Sequence, residues 1–181
     1  IEPLEPGSGI LFESEITGAT LPKEYYGPIE SGFREAATSG VIAGYPVVDI
    51  KAVLTDGSHH DVDSSEMAFK IAGSMAFKSA MTAGSPALLE PIMKIDIVTP
   101  EEFLGDCLGD LNSRRAQILS MEQQANSQAV KAHVPLGETF QYATTLRSLT
   151  TGRASFSMEL DHYAKVPNHI ATEISGKGKE N

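Results

Sequence analysis

Serine, histidine and carboxylate side chains crowd the stretch Ser58-His59-His60-Asp61-Val62-Asp63-Ser64-Ser65-Glu66. A hydroxyl, an imidazole and a carboxylate are the parts of a hydrolytic triad, and imidazoles with carboxylates are the parts of a metal site. A triad needs its members held in hydrogen-bond order by a rigid fold, usually from distant positions, which one short loop rarely provides. Adjacent histidines diverge, no further ligand follows at helical i+4 spacing, and the glycine and late glutamate of a calcium loop are missing. The expectation is therefore no catalytic residue and no metal here. Asp63 is expected to cap a helix that Glu66 answers three residues later, and both histidines are expected to be solvated turn residues.

Other chemistry is equally sparse. Gly176-Lys177-Gly178-Lys179 lacks the hydroxyl residue and the preceding strand of a phosphate-cradling loop, and no Gly-x-Ser-x-Gly elbow occurs. No nucleotide or other cofactor is expected on this chain. Cys107, the single cysteine, lies on the apolar face of an expected helix, which fits a small buried hydrophobe and forbids an internal disulfide. Arg114 and Arg115 close that helix, where cations meet the dipole favourably, a role compatible with phosphate binding.

The formal net charge is −10 over 181 residues, which opposes a protein that coats nucleic acid with a general basic face. Residues 1–93 carry 13 acidic against 5 basic side chains, and 94–181 carry 11 against 9. An RNA-facing surface is thus easier to place in the second half. No signal-peptide pattern opens the chain, and no apolar run approaches the ~18 residues of a bilayer span. With one cysteine, this points to the cytoplasm and to no membrane partner.

The elements that would position these residues form two groups. In the first, Ile10, Phe12 and Ile16 give an imperfect strand. Tyr25, Ile29, Phe33 and Ala37 recur at i+4 in a helix that Pro22 opens, Pro28 bends early and Gly40 closes. Pro46 to Leu54 alternates as a strand, Thr55 to Ser58 turns, and a helix runs from Ser64 to about Ala83 with Met67, Ile71 and Met75 on its buried side. In the second group, Ile92 to Val98 is a strand. Thr99-Pro100-Glu101-Glu102 reads as an N-cap, first-turn proline and capping glutamate for a helix through Phe103, Cys107, Leu108 and Leu111. Strands around Ile118–Ser120 and Val130–Val134, a helix from Phe140 to Thr151 closed by Gly152, and a last strand through Ala154, Phe156, Met158 and Leu160 follow. That order, β-α-β-β-α-β, is the ferredoxin-like unit. The tail Gly176–Asn181 has nothing apolar to bury and reads as frayed.

Longer motifs carry a family resemblance. Ala43-Gly44-Tyr45-Pro46-Val47-Val48-Asp49, the run Asp56 to Lys70, and Leu89-Glu90-Pro91-Ile92-Met93 resemble domain IV of bacterial elongation factor G. Gly109-Asp110-Leu111-Asn112-Ser113-Arg114-Arg115, Tyr142-Ala143-Thr144, Leu146-Arg147-Ser148 and Thr151-Gly152-Arg153 resemble its domain V. The likeness runs from about Glu2 to Pro167. It implies an α+β chain of two small domains. Residues 1–91 would be a ribosomal-protein-like domain with a left-handed βαβ crossover that begins inside the family's domain, and 92–181 a ferredoxin-like one. The absent preceding segment would leave unpaired strand edge and exposed apolar surface. The sequence departs from the family at His59, Ala116 and Thr145, where tyrosine, glycine and aspartate are usual.

What the resemblance implies for function is a ribosome-binding arm that promotes movement of the tRNA–mRNA pair. GTP and magnesium would be bound by another domain of the parent. Ser58, His59, His60, Asp61 and Val62 would form a tip in the small-subunit decoding region. Arg114, Arg115, Arg147 and Arg153 would face large-subunit rRNA near the stalk base, and DNA would not be a partner. The alternatives are a paralogous translational GTPase in ribosome recycling or protection, and, from another class, a stand-alone ferredoxin-like binding module or a hydrolase using the histidine loop. Excess GTP with magnesium should leave the melting temperature of this chain unchanged. A ligand at ~100 times its dissociation constant stabilises by ~2.7 kcal/mol, so a clear upward shift in a thermal melt would contradict the missing phosphate loop.

Overall fold

The structure is a computed structural model that describes residues 1–18 and 20–177. Two compact units emerge, Leu89–Val166 as one, and Ile1–Leu88 with the segment from Pro167 onward as the other.

In the first unit, β1 (Glu2–Pro3), β2 (Ile10–Ser14) and β3 (Ile50–Leu54) form a sheet in the order β1-β3-β2. β2 and β3 are parallel, with Ile10 opposite Ile50 and Ser14 opposite Leu54, so the chain crosses over between them through α1 (Tyr26–Ser39). β1 is antiparallel to β3 and reaches only Ile50 and Lys51. α2 (Glu66–Ala83) packs against α1. The shared core is Phe33, Ala36, Ala37, Ile50, Ala52, Phe77 and Met81. Phe33 meets Phe77 edge-on at 5.0 Å, and Tyr25 stacks on Phe69 at 4.2 Å.

Two glycines set the helix crossing. A Cβ on Gly32 of α1 would lie 1.9 Å from the Lys70 carbonyl oxygen of α2, and one on Gly73 of α2 would lie 2.5 Å from the Ile29 carbonyl oxygen of α1. Backbone meets backbone at this contact. Lys70 Nζ also reaches Glu35 Oε2 at 2.6 Å, tying the helices at their surface.

Several expectations for this unit are corrected. Met67, Ile71 and Met75 are exposed, at 65%, 53% and 67%, because α2 turns Gly73, Phe77 and Met81 toward α1 instead. Pro28 does not interrupt α1. It lies in the first turn, where amide groups have no intrahelical partner to lose. The strand expected from Pro46 is shorter, because Asp49 adopts a left-handed φ of 56° just before β3. There its carboxylate accepts a bond from the Gly9 amide at 2.9 Å.

The second unit is the expected ferredoxin-like arrangement. β4 (Leu89–Pro100), α3 (Leu104–Ser113), β5 (Gln117–Gln124), β6 (Ser127–Pro135), α4 (Tyr142–Leu149) and β7 (Ser155–Lys165) follow in order, and the sheet runs β5-β6-β4-β7. All its ladders are antiparallel. Ile95, Ile97, Val130, Ala132 and Val134 point to one face and pack with Cys107, Leu111, Tyr142 and Leu146 from the helices. Lys94, Lys131 and His133 occupy alternate positions on those strands and so face the other way.

Helix starts differ from the sequence pattern here too. β4 continues through Thr99 and Pro100, a 3-10 turn covers Glu101–Phe103, and no side chain caps α3. Thr99 is fully buried and its hydroxyl meets Cys107 Sγ at 3.8 Å, so the core claims the group expected to cap. α4 starts only after Gln141, whose φ is 60°, leaving Phe140 exposed. Gly152, with φ 77°, donates its amide to the Arg147 carbonyl at 2.8 Å and closes the helix.

A further helix, α5 (Asn168–Lys177), is absent from the sequence pattern and belongs to the first unit. Gly176 and Lys177 of the expected frayed tail end it, and Gly178–Asn181 lie outside the described residues. The division expected at residue 91 falls inside β4. Among the described residues no helix is long and apolar enough to cross a membrane.

Gly32→Ala should destabilise the first unit by ~1–3 kcal/mol or more, since the obstructing atom is backbone and cannot swing aside. Gly109→Ala, with nothing within 4 Å of its Cβ position, should be neutral or slightly stabilising. Parallel chemical denaturation of the two variants checks this; equal midpoints would mean the helices separate at little cost.

Candidate functional site

The loop between β3 and α2 is fixed at both ends. Ahead of it, β3 is paired along its length with β2. Behind it, Ser65 caps α2, its hydroxyl accepting from the Ala68 amide at 3.1 Å. This replaces the cap expected from Asp63 with Glu66. Asp63 instead lies in a turn, where its amide and that of Ser64 both donate to the His60 carbonyl at 3.1 Å. The Ser64 hydroxyl accepts from the His60 amide at 2.9 Å, so Ser64 and His60 clasp each other through both backbone and side chain.

This clasp presents the loop's apex outward. His60 is exposed, Asp61 and Val62 almost completely so. His59 is half-buried, with Nδ1 3.3 Å from the Thr20 carbonyl oxygen. Thr20, Asp56, Gly57, Ser58 and His59 line an open hollow beside the apex. The Asp56 carboxylate accepts from the Gly57 amide at 2.8 Å and tightens the turn below it. Thr20 is a residue that sequence reasoning missed. It lies 39 positions from His59, in the connection between β2 and α1, and no spacing rule links the two.

Nothing in this geometry builds a triad. Ser58, His59, His60, Asp61 and Val62 do come together in one loop, but the carboxylate nearest an imidazole, Asp61 Oδ1, is 3.9 Å from His59 Nε2. That is too far for the hydrogen bond that would orient a base. What the loop offers is one outward imidazole, an exposed apolar residue and turn amides on a braced frame.

The four arginines of the second unit divide. Arg114 is turned inward, donating to Asp110 Oδ2 at 2.8 Å, the Glu138 carbonyl at 2.6 Å and the Thr145 hydroxyl at 3.2 Å, with its guanidinium over the Tyr142 ring. Arg115, at a left-handed φ of 59°, holds Glu90 through both carboxylate oxygens at 3.0 and 2.8 Å and Glu138 at 3.1 Å. Those bonds, Glu90's first, raise the Arg115 pKa above its ordinary value. Arg153 pairs with Glu102 at the surface, an exposed pair of small worth. Arg147 is exposed and has no side-chain partner among the described residues. Cys107 is buried and inert, its thiol pushed up chiefly by that burial.

Comparison with known proteins bears on what such a loop and fold belong to. The family model described as Elongation factor G, domain IV matches residues 1–85, and that described as Elongation factor G C-terminus matches residues 87–174. The chain belongs to the elongation factor G family. A crystal structure of a protein from Thermus thermophilus matches with a TM-score of 0.83 and 44% identity, covering 99% of this chain. This chain spans 27% of the length of that protein. The loop with His60 lies in the region matched to domain IV of elongation factor G, and the arginines lie in the region matched to its C-terminus.

The observed cap predicts which loop residue matters for folding. Ser65→Ala should cost ~1 kcal/mol, whereas Asp63→Ala should stay within ~0.5 kcal/mol. Urea denaturation monitored by circular dichroism distinguishes them, and a larger loss at Asp63 would restore the capping box read from the sequence.

Proposed function

We propose that this chain is the ribosome-facing arm of an elongation factor G that promotes movement of the tRNA–mRNA pair. The observation that carries the reading is the braced, outward apex around His60 on the unit matched to domain IV of that family. A loop held at both ends by a strand and a capped helix places an imidazole and turn amides reproducibly, and recognition of folded RNA depends on such placement. In this reading Ser58, His60, Asp61 and Val62 enter the small-subunit decoding region beside the tRNA–mRNA pair, while His59 supports the loop from beneath through Thr20. The contribution is steric and hydrogen-bonding, with no bond made or broken by this arm. GTP and magnesium belong to another domain of the full-length factor, and the setting is the cytoplasm.

The second unit would meet large-subunit rRNA near the stalk base. Arg147, exposed and without a side-chain partner among the described residues, and Arg153, whose surface pair with Glu102 is cheaply exchanged for phosphate, are the arginines that support this role. Arg114 and Arg115 support it indirectly by holding the fold beneath them.

In a full-length factor carrying this arm, His60→Ala should slow mRNA movement while changing thermal stability by no more than ~0.5 kcal/mol. Each ~1.4 kcal/mol of transition-state hydrogen bonding lost slows the step ~10-fold. Ribosome-stimulated GTP hydrolysis should persist, and His59→Tyr should be mild beside it. Rapid kinetics of mRNA movement, hydrolysis and melting are measured together; normal movement in His60→Ala, or a matching collapse in stability, would refute the tip role.

A further inference from the structure

A second cluster of ligating side chains lies on the outer face of the β5-β6-β4-β7 sheet of the second unit. His133 on β6 stands opposite Lys94 of β4, and His162 on β7 stands opposite Ile92 of β4. The register between β4 and β7 shifts between Ile92 and Met93, so that Leu160 pairs with Met93 and Asp161 has no residue opposite it in the ladder. Strict alternation would send Asp161 and His162 to opposite faces; a bulge re-aims one of them. The result is that Asp161 Oδ2 lies 2.6 Å from His162 Nδ1 and 3.4 Å from His133 Nε2. The two imidazole rings meet edge to face at 5.2 Å.

We infer that His133, Asp161 and His162 bind a single divalent transition-metal ion of the zinc class, with solvent completing its coordination. One ligand atom from each residue falls within 4.8 Å of the other two. A tetrahedral zinc with bonds of ~2.0–2.2 Å separates neighbouring ligand atoms by about 3.3 Å, so the His133–Asp161 spacing already fits. The His162–Asp161 hydrogen bond has to open, by roughly 0.7 Å, as the metal takes the place of the shared proton, and the two imidazole nitrogens, within 4.8 Å of each other, settle to the same spacing. Two imidazoles and one carboxylate suit zinc, nickel or copper and disfavour magnesium or calcium, which prefer oxygen alone. The nearby cation, Lys94, leans toward Glu159 Oε1 at 3.5 Å, although its charge still acts on Asp161. Asp161 is held ionised, its pKa lowered first by the His162 hydrogen bond. The ion would clip β6 to β7 across β4, joining the two strands that flank it.

No motif announces this set. His133 and the Asp161-His162 pair are separated by a helix and most of a strand, and the contact depends on a bulge that alternation does not reveal. The competing imidazoles are His59, His60 and His169, which the test must separate.

Zinc is titrated into the whole chain by calorimetry, and cobalt(II) is added in parallel for its visible absorption. One equivalent should bind, chelator should release it, and the melting temperature should rise with zinc. His133→Ala and His162→Ala should each weaken binding at least ~10-fold, and Asp161→Asn should weaken it and alter the cobalt spectrum. His162→Gln, at the more exposed imidazole, repeats the test with the least disturbance to folding, verified by melting without metal. A chain carrying His59→Ala, His60→Ala and His169→Ala should keep its affinity. Absence of saturable binding, or binding abolished by the His59, His60 and His169 substitutions and indifferent to His133→Ala and His162→Gln, would overturn the assignment.

Discussion

The first unit depends on the contact of two helix backbones at Gly32 and Gly73. Its sheet has three strands, one of them two residues long, and offers little area for burial. Stability must come from elsewhere, and bringing α1 and α2 to backbone contact lets Phe33, Phe77 and Met81 pack into one core with Ile50 and Ala52. The same crossing fixes where the N-terminus of α2 stands, and with it Ser65, the clasp of Ser64 on His60, and the direction in which the loop projects. A surface imidazole is thus positioned by two residues that have no side chains.

This explains which parts were legible in the sequence. The second unit was, because each of its central strands is buried on one face and writes that face as alternation, as in Ile95 and Ile97 or Val130, Ala132 and Val134. In the first unit α2 carries two apolar stripes, and the more hydrophobic one, Met67-Ile71-Met75, is the one left in solvent. Hydrophobicity does not register a glycine contact, so the stripe that packs was invisible. Capping is ambiguous for a related reason: Asp63 and Ser65 are both good caps, and only the turn closed by His60 decides between them. The loop residues themselves were legible, but Thr20 beneath them was not. The histidine and aspartate cluster on the sheet was hidden entirely, since one bulged residue changes which side chains share a face.

The electrostatics of the two units follow from the same economy. A net charge of −10 leaves few cations, and both arginines in the motif Ser113-Arg114-Arg115 are committed to Asp110, Glu90 and Glu138. Their role is to hold the end of α3 to β4 and to the segment before α4. In the proposed ribosomal setting an acidic body with few free cations disfavours nonspecific RNA, and affinity would arise only where shaped surfaces meet.

The exposed stripe on α2 also sets how the chain meets oxidants. Met67 and Met75 hold their thioethers in water, so conversion to the sulfoxide adds a polar oxygen where solvent already reaches and removes no packing. Met81, nearly buried against Phe33 and Phe77, has no such latitude, because the same oxygen would enter the core beneath the helix crossing. Susceptibility to oxidation in this unit is therefore graded by depth: the outer sulfurs are open to oxidants at little cost to the fold, and burial keeps them from the one whose loss would open it.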